Sequence, residues 1–265
     1  MIDLHSHVLP NLDDGAKNLE EAVEMCRMAA GDGIRILAAT PHYRPKVYEN
    51  GEENIFSAVS HLQEVLDREE ISLKLVPGVD ILISPEVIPF LERNPGLTFG
   101  GRYALVELPA QFVPPSTEDF FFRMRLKGFT PILTHPERNA EIQNSMRILE
   151  GMVDKGVLIQ VTAMSLTGEF GDHIGVIAIR MVKSGLAPLI ASDAHSARHR
   201  VPILSRARRI LEELVGHEKA RMMVEETPRR ILQGESIEFS RDTEDQVTRP
   251  SMLKKLFRKK SSSNA

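Results

Sequence analysis

Residues 3–7, D-L-H-S-H, close the first apolar run of the chain, and on a strand of two-residue period His5 and His7 share one face. Two imidazoles leaving one strand end can reach one cation, although two surface histidines near a chain start would look the same. The rest of the sequence repeats the arrangement. Short apolar, β-branched runs stand at 2–4, 34–39, 73–83, 103–108, 129–133, 157–161 and 187–191. His42 follows the second run, Asp80 lies within the third, Glu107 sits near the end of the fourth, His135 ends the fifth, and Asp193 and His195 follow the seventh. Helical periodicity occupies the intervals, near 19–30, 53–69, 84–93, 117–127, 139–155, 173–184 and 199–226. In the first of these, Leu19, Ala22, Val23, Cys26 and Ala30 keep helical spacing behind Asn18 as N-cap and Glu21, with Gly31 and Gly33 at the stop.

Strands alternating with helices imply α/β architecture with a parallel sheet, because parallel strands need crossovers. An open sheet gathers ligands at its switch point, whereas in a parallel barrel all strand ends converge on one mouth. Six runs carrying polar residues toward one site predict a seven-stranded parallel βα barrel. Past about residue 235 the pattern dissolves, so residues 1–235 are expected to form the barrel and 236–265 a disordered tail. Within that tail Met252, Leu253, Leu256 and Phe257 lie among five basic residues at 254–260, which suits weak contact with an anionic membrane surface or an acidic partner.

The chain of 265 residues, 42% hydrophobic, is long enough to bury a sizeable core. A net charge of -4 argues against a dedicated nucleic-acid binder. The single cysteine, Cys26, excludes an intramolecular disulfide; with no leader-like start and no long apolar run, a cytoplasmic protein is expected.

The strand-end residues are five histidines and three carboxylates, without a thiolate. Nitrogen and oxygen donors suit manganese, iron or zinc. Eight ligands exceed the needs of one ion, so two or three ions sharing carboxylates are expected. Three divalent cations set against three carboxylates and one hydroxide leave about +2, a field that draws a phosphate dianion and lowers the pKa of bound water toward neutrality. Phosphoester hydrolysis by a metal-activated hydroxide follows. Glu107 is the sharpest single case, since an unpaired carboxylate inside Y-A-L-V-E-L would cost several kcal/mol. Asp80 also suits a turn after Pro77-Gly78, and the D-D-G segment containing Asp14 is a turn signal as well.

The strings D-L-H-S-H-x-L-P-x-x-D-D-G (3–15), T-P-H-Y (40–43), L-T-H-P-E-R (133–138) and A-S-D-A-H (191–195) resemble the polymerase-and-histidinol-phosphatase (PHP) superfamily, and within it the bacterial protein-tyrosine phosphatases encoded with capsule and exopolysaccharide enzymes. The resemblance implies a distorted seven-stranded barrel, a manganese-preferring trinuclear centre, and dephosphorylation of the tyrosine kinase that controls polysaccharide export. By motif position it makes His5, His7, His42, Asp80, Glu107, His135, Asp193 and His195 the metal ligands, and Arg138 and Arg200 phosphate clamps. Asp14 would protonate the leaving oxygen or orient a water. The chain departs from the family at Asp80, where a glutamate is usual, and the shorter side chain bears on whether two ions are bridged there.

A cysteine-dependent phosphatase is set aside, because the position six residues beyond Cys26 is Asp32 where an arginine would be needed. Two alternatives remain: a small-molecule phosphatase such as a histidinol-phosphatase on the same fold, and an inactive metal-stabilised binding module. The segment 43–54, with Tyr43, Arg44, Lys46 and Tyr48, is placed to line an active-site mouth in either enzyme.

Overall fold

A computed structural model describes residues 1–237; the basic segment at 252–260 lies outside the described residues. Among the described residues there are ten strands: β1 (Ile2–Asp3), β2 (Ile36–Ala39), β3 (His42–Arg44), β4 (Tyr48–Glu49), β5 (Lys74–Pro77), β6 (Asp80–Leu82), β7 (Tyr103–Glu107), β8 (Thr130–Thr134), β9 (Leu158–Thr162) and β10 (Leu189–Ala191). The α-helices are α1 (Leu19–Gly31), α2 (Glu52–Arg68), α3 (Val87–Arg93), α4 (Thr117–Leu126), α5 (Ala140–Asn144), α6 (Arg147–Asp154), α7 (Ala163–Leu166), α8 (Asp172–Lys183), α9 (Ser205–Val215), α10 (His217–Arg221) and α11 (Thr227–Leu232). The fold is mixed α/β with parallel strands, as the alternation requires.

The strands divide between two sheets, where the sequence suggested seven unbroken ones. β1, β2 and β5 make a small parallel sheet, and the others follow the order β10-β9-β8-β7-β6-β3-β4, parallel except for the β3–β4 hairpin. The run at 34–39 gives β2, and past a bend at Thr40-Pro41, where proline withholds a ladder N–H, the chain continues into β3, a strand beyond the expected run; the run at 73–83 breaks at Gly78 into β5 and β6. A Cβ on Gly78 would sit 2.8 Å from the Phe99 ring and 2.9 Å from Thr40 Cγ2, so only glycine permits this approach. Beyond the bends β3 and β6 enter the larger sheet with His42 directly opposite Asp80. The chain past β1 runs between the two sheets. His7 N donates to Ala194 O (2.8 Å), Asp193 N to His5 O (2.9 Å), and Thr40 N to Ser6 O (2.8 Å).

Side-chain alternation stacks an apolar floor under a polar layer. Ile2, Leu4, Ala38, Tyr103, Leu105, Ile132, Leu158 and Leu189 pack together in one buried cluster, while Ala104, Val106, Leu133, Ile159 and Ile190 face the helices. Two residues further along the inward faces come Glu107 from β7, Thr134 from β8 and Gln160 from β9, all buried. At the foot Tyr103 donates its hydroxyl hydrogen to Glu235 O (2.6 Å) and accepts from Ile237 N (3.1 Å).

Several helices are shorter than the periodicity suggests. The stretch 139–155 divides at Ser145, whose backbone is extended, and 199–226 divides at Gly216, with φ 86°. Residues 84–86 precede α3, and 199–204 precede α9, outside any helix. α1 matches its expected bounds closely, with the Asn18 side chain accepting from Glu21 N (2.9 Å) and Cys26 fully buried.

Candidate metal centre

The polar layer brings all eight strand-end donors together. His5 Nε2 and His7 Nε2 lie 3.1 Å apart, and Asp193 Oδ1 is 3.4 Å from each. Asp80 Oδ2 stands 3.6 Å from His5 Nε2 and 3.3 Å from His42 Nδ1. Glu107 extends Oε1 to 3.6 Å from His42 Nδ1 and Oε2 to 3.7 Å from His135 Nε2. Four groups result in which donor atoms fall within 4.8 Å of one another: His5-His7-Asp193, His5-Asp80-His135, His42-Asp80-Glu107 and His7-Asp14-His42-His195. Asp14 thus joins a donor group at the exposed mouth, 3.5 Å from His42 Nε2 and 3.7 Å from His195 Nε2.

Hydrogen bonds behind the donors set ring orientation. Gln160 Oε1 is 2.8 Å from His5 Nδ1, Asp13 Oδ2 is 2.6 Å from His7 Nδ1, and the Asp193 carbonyl is 3.0 Å from His195 Nδ1. Each leaves Nε2 directed at the centre, the arrangement by which outer partners fix the tautomer of a metal-ligating histidine. Asp13 also accepts from Gly15 N (2.9 Å) and His42 N (2.8 Å), tying three segments together. A Cβ on Gly15 would fall 2.0 Å from His7 O. The D-D-G segment is accordingly more than a turn: Gly15 allows the close approach, Asp13 holds His7, and Asp14 faces the mouth.

Electrostatics follow from burial. For His5 and His135, burial lowers the pKa and favours the neutral ring that metals require. At His7 burial works the same way but is outweighed by Asp13 and Asp193, which lift it to about 10; at Asp13 burial is overcome by the His7 bond, leaving about 2. Glu107 is pushed up to about 7 by burial and by the Asp80 carboxylate. Asp193 is held well below the usual carboxylate range, burial being outweighed by Arg138 and His5 among its neighbours. Both Arg138 and Arg200 donate to Asp193 Oδ2, and Arg44 donates to Glu107 Oε1.

The donor set fits divalent cations. His42 Nδ1 and Asp80 Oδ2 are buried and face each other, yet neither makes a hydrogen bond, a costly arrangement that a shared cation would relieve. Three carboxylates and five imidazoles, offering only nitrogen and oxygen, match Mn, Fe or Zn chemistry. Backbone strain falls at the same place. His135 (φ 39°) and Asp193 (φ 52°) adopt left-handed conformations, which cost non-glycine residues of order 1–3 kcal/mol and collect at functional sites.

A cavity of about 450 Å³ opens over the centre, bounded by His42, Arg44, Glu107, His135, Arg138, Asp193, His195 and Arg200. Sequence reasoning passed over Asp13, Gln160, Asp3 and the Arg44–Glu107 pair. Gln160 carried a readable signal, a polar residue inside V-L-I-Q-V, the same signal that singled out Glu107. Asp3 is buried, accepts from Ser192 N (3.0 Å), and has its pKa raised by burial to about 6.

Fold and donors together define an α/β protein with a cluster of potential metal ligands beside an arginine-lined cavity. The chain belongs to the capsular polysaccharide synthesis family CpsB/CapC, whose model matches residues 1–233. It is 38% identical over 226 residues to the tyrosine-protein phosphatase YwqE of Bacillus subtilis, covering 85% of this chain and 89% of that protein. A putative tyrosine-protein phosphatase CapC of Staphylococcus aureus is 35% identical over 202 residues, 76% of this chain and 79% of that one. Among solved structures, one from the pair YwqE of Bacillus subtilis and CpsB of Streptococcus pneumoniae, described as metal-dependent tyrosine phosphatases, superposes with a TM-score of 0.86 at 36% identity, covering 91% and 97% of the two chains. A histidinol phosphate phosphatase from Lactococcus lactis, 11% identical with a TM-score of 0.55 over 82% of this chain and 95% of that one, shares the fold.

Proposed function

We propose that the protein is a metal-dependent phosphatase that hydrolyses phosphotyrosine on protein. The observation that carries this reading is the gathering of His5, His7, His42, Asp80, Glu107, His135, Asp193 and His195 into overlapping donor groups beneath an arginine-lined cavity. These eight would hold the ions, two or three in number and manganese by preference. The distorted βα barrel, taken as residues 1–235, is supported by the inward apolar floor and by the Ser6–Ala194 bridge, which joins the N-terminal segment to the end of β10.

Bound divalent ions supply the positive field that attracts a phosphate dianion and the acidity that readies a water for attack. The chain's own residues then bind and orient. Arg138 and Arg200 contact Asp193 through Nη2 and both line the cavity, where guanidinium groups suit bidentate contact with phosphate oxygens. Asp14, half exposed beside His42 and His195, would pass a proton to the departing phenolate or orient a water. A tyrosine leaving group of pKa about 10 needs that proton less than an alkyl alkoxide does.

The substrate we favour is the autophosphorylating tyrosine kinase of a capsule or exopolysaccharide system, a reading supported by the family's role in capsular polysaccharide synthesis. The test compares initial rates of metal-stripped, manganese-reloaded protein on a tyrosine-phosphorylated kinase-tail peptide and on histidinol phosphate. Preference for the peptide is expected. Preference for histidinol phosphate would replace the substrate assignment, and inactivity on both would favour a metal-stabilised binding module.

A further inference from the structure

Of the arginines at the cavity, Arg44 alone has no part in the phosphate contacts assigned to Arg138 and Arg200. It lies at the end of β3, two residues beyond His42, and its side chain is 34% exposed. Its guanidinium donates to Glu107 Oε1 through Nε (2.9 Å), with Nη2 2.7 Å from the same oxygen and 3.3 Å from His42 Nε2. Only one oxygen of Glu107 is engaged, since Oε2 faces His135. Arg44 therefore bears the relation to Glu107 that Arg138 and Arg200 bear to Asp193: a cation at the cavity wall bonded to a carboxylate of the donor cluster.

We propose that Arg44 is a third anion-binding arginine, anchored by Glu107 and presenting its remaining N–H groups to the substrate phosphate from the β3 side of the cavity. A guanidinium has five N–H donors in a rigid fork, and Glu107 employs the Nε edge, leaving Nη1 with no hydrogen bond to the described residues. The anchor holds the long side chain in one place, reducing the rotamer entropy lost when an anion binds. The inference rests on the phosphoester reading of the same cavity.

The test is calorimetric binding of inorganic phosphate to manganese-reloaded protein, with bound manganese per chain measured on the same samples, for wild type, R44Q and R44K. R44Q is expected to keep the wild-type manganese content and to bind phosphate about tenfold more weakly, or ~1.4 kcal/mol. R44K restores a point charge beside Glu107 but no fork, and should fall between the two. Wild-type binding unchanged within about twofold in R44Q would overturn the role of Arg44 while leaving the phosphatase reading intact. That role also falls if R44Q loses manganese while R44K, with its metal retained, binds phosphate as tightly as wild type, for Arg44 would then serve only to steady Glu107. No phosphate binding by loaded wild-type protein would overturn both readings.

Discussion

At the residue scale, the centre depends on side chains that are costly unless partnered. His135 and Asp193, both proposed ligands, also adopt left-handed backbone, so neither is replaced cheaply. His135→Ala and Asp193→Ala are expected to lower kcat/KM on an aryl phosphate at least 100-fold, about 2.7 kcal/mol of transition-state stabilisation, with less manganese bound per chain. Wild-type rates with normal metal content would remove these residues from the site. Asp13 offers a finer probe because it touches His7 and the His42 backbone. Asp13→Asn should weaken manganese binding by about 10- to 100-fold, as loss of an outer hydrogen-bond partner does, and a competition titration against a metal-sensitive dye would measure it. Asp13 escaped the sequence reading although the D-D-G segment was noticed. A turn signal gives no indication of which carboxylate points inward; that depends on Gly15 lying against His7.

At the element scale, α1 is the helix whose limits were most legible, because cap, apolar stripe and terminal glycines agree. Asn18→Ala should cost about 1 kcal/mol, a drop of roughly 2–4 °C in a protein of this size, measurable by thermal unfolding of metal-loaded samples. On the buried side of the same helix, burial pushes the Cys26 thiol up to about 12. The native thiol should resist alkylation at pH 8, activity should survive the reagent, and one thiol per chain should appear after unfolding. The sign for stability is fixed by the raised value. The contribution is fully present below about pH 9, where both states hold the proton, and is lost as pH rises toward about 12 because the unfolded chain alone ionises. Comparing the alkaline unfolding of wild type and Cys26→Ala would detect it. The strands were less legible. Apolar runs at 34–39 and 73–83 marked their presence, but neither the bend at Pro41 nor the one at Gly78 is visible as a change of sheet, since it arises from Phe99 and Thr40 meeting Gly78 across the fold.

At the scale of the whole molecule, Asp3, Asp80, Glu107, Glu137 and Asp193 are all buried, and no described helix is long and apolar enough to cross a membrane. Ions that bind the native centre and not the unfolded chain stabilise by mass action, about 2.7 kcal/mol at a free concentration 100 times Kd. Adding a chelator should therefore lower Tm by several degrees, and manganese should restore it in a concentration-dependent way. A Tm indifferent to both would deny the ions a structural connection to the strand ends. A second groove, of about 750 Å³, opens from Asp14, His195 and Arg200 between the start of α1 and the loop at 196–200, so the centre is reached from a broad surface.

What the sequence by itself determined was the α/β alternation and the identity of the strand-end donors, because polar groups interrupting apolar runs are too costly to bury without a partner and so announce themselves. Arg44 and Gln160 were in plain view in the same strings, yet their partners lie 63 and 155 residues away. Only the tertiary structure decided that Gln160 turns His5, that Asp13 rather than Asp14 holds His7, and that the strands share two sheets. Those outcomes depend on distances of a few ångströms between segments remote in the chain, and local periodicity has no means of encoding them.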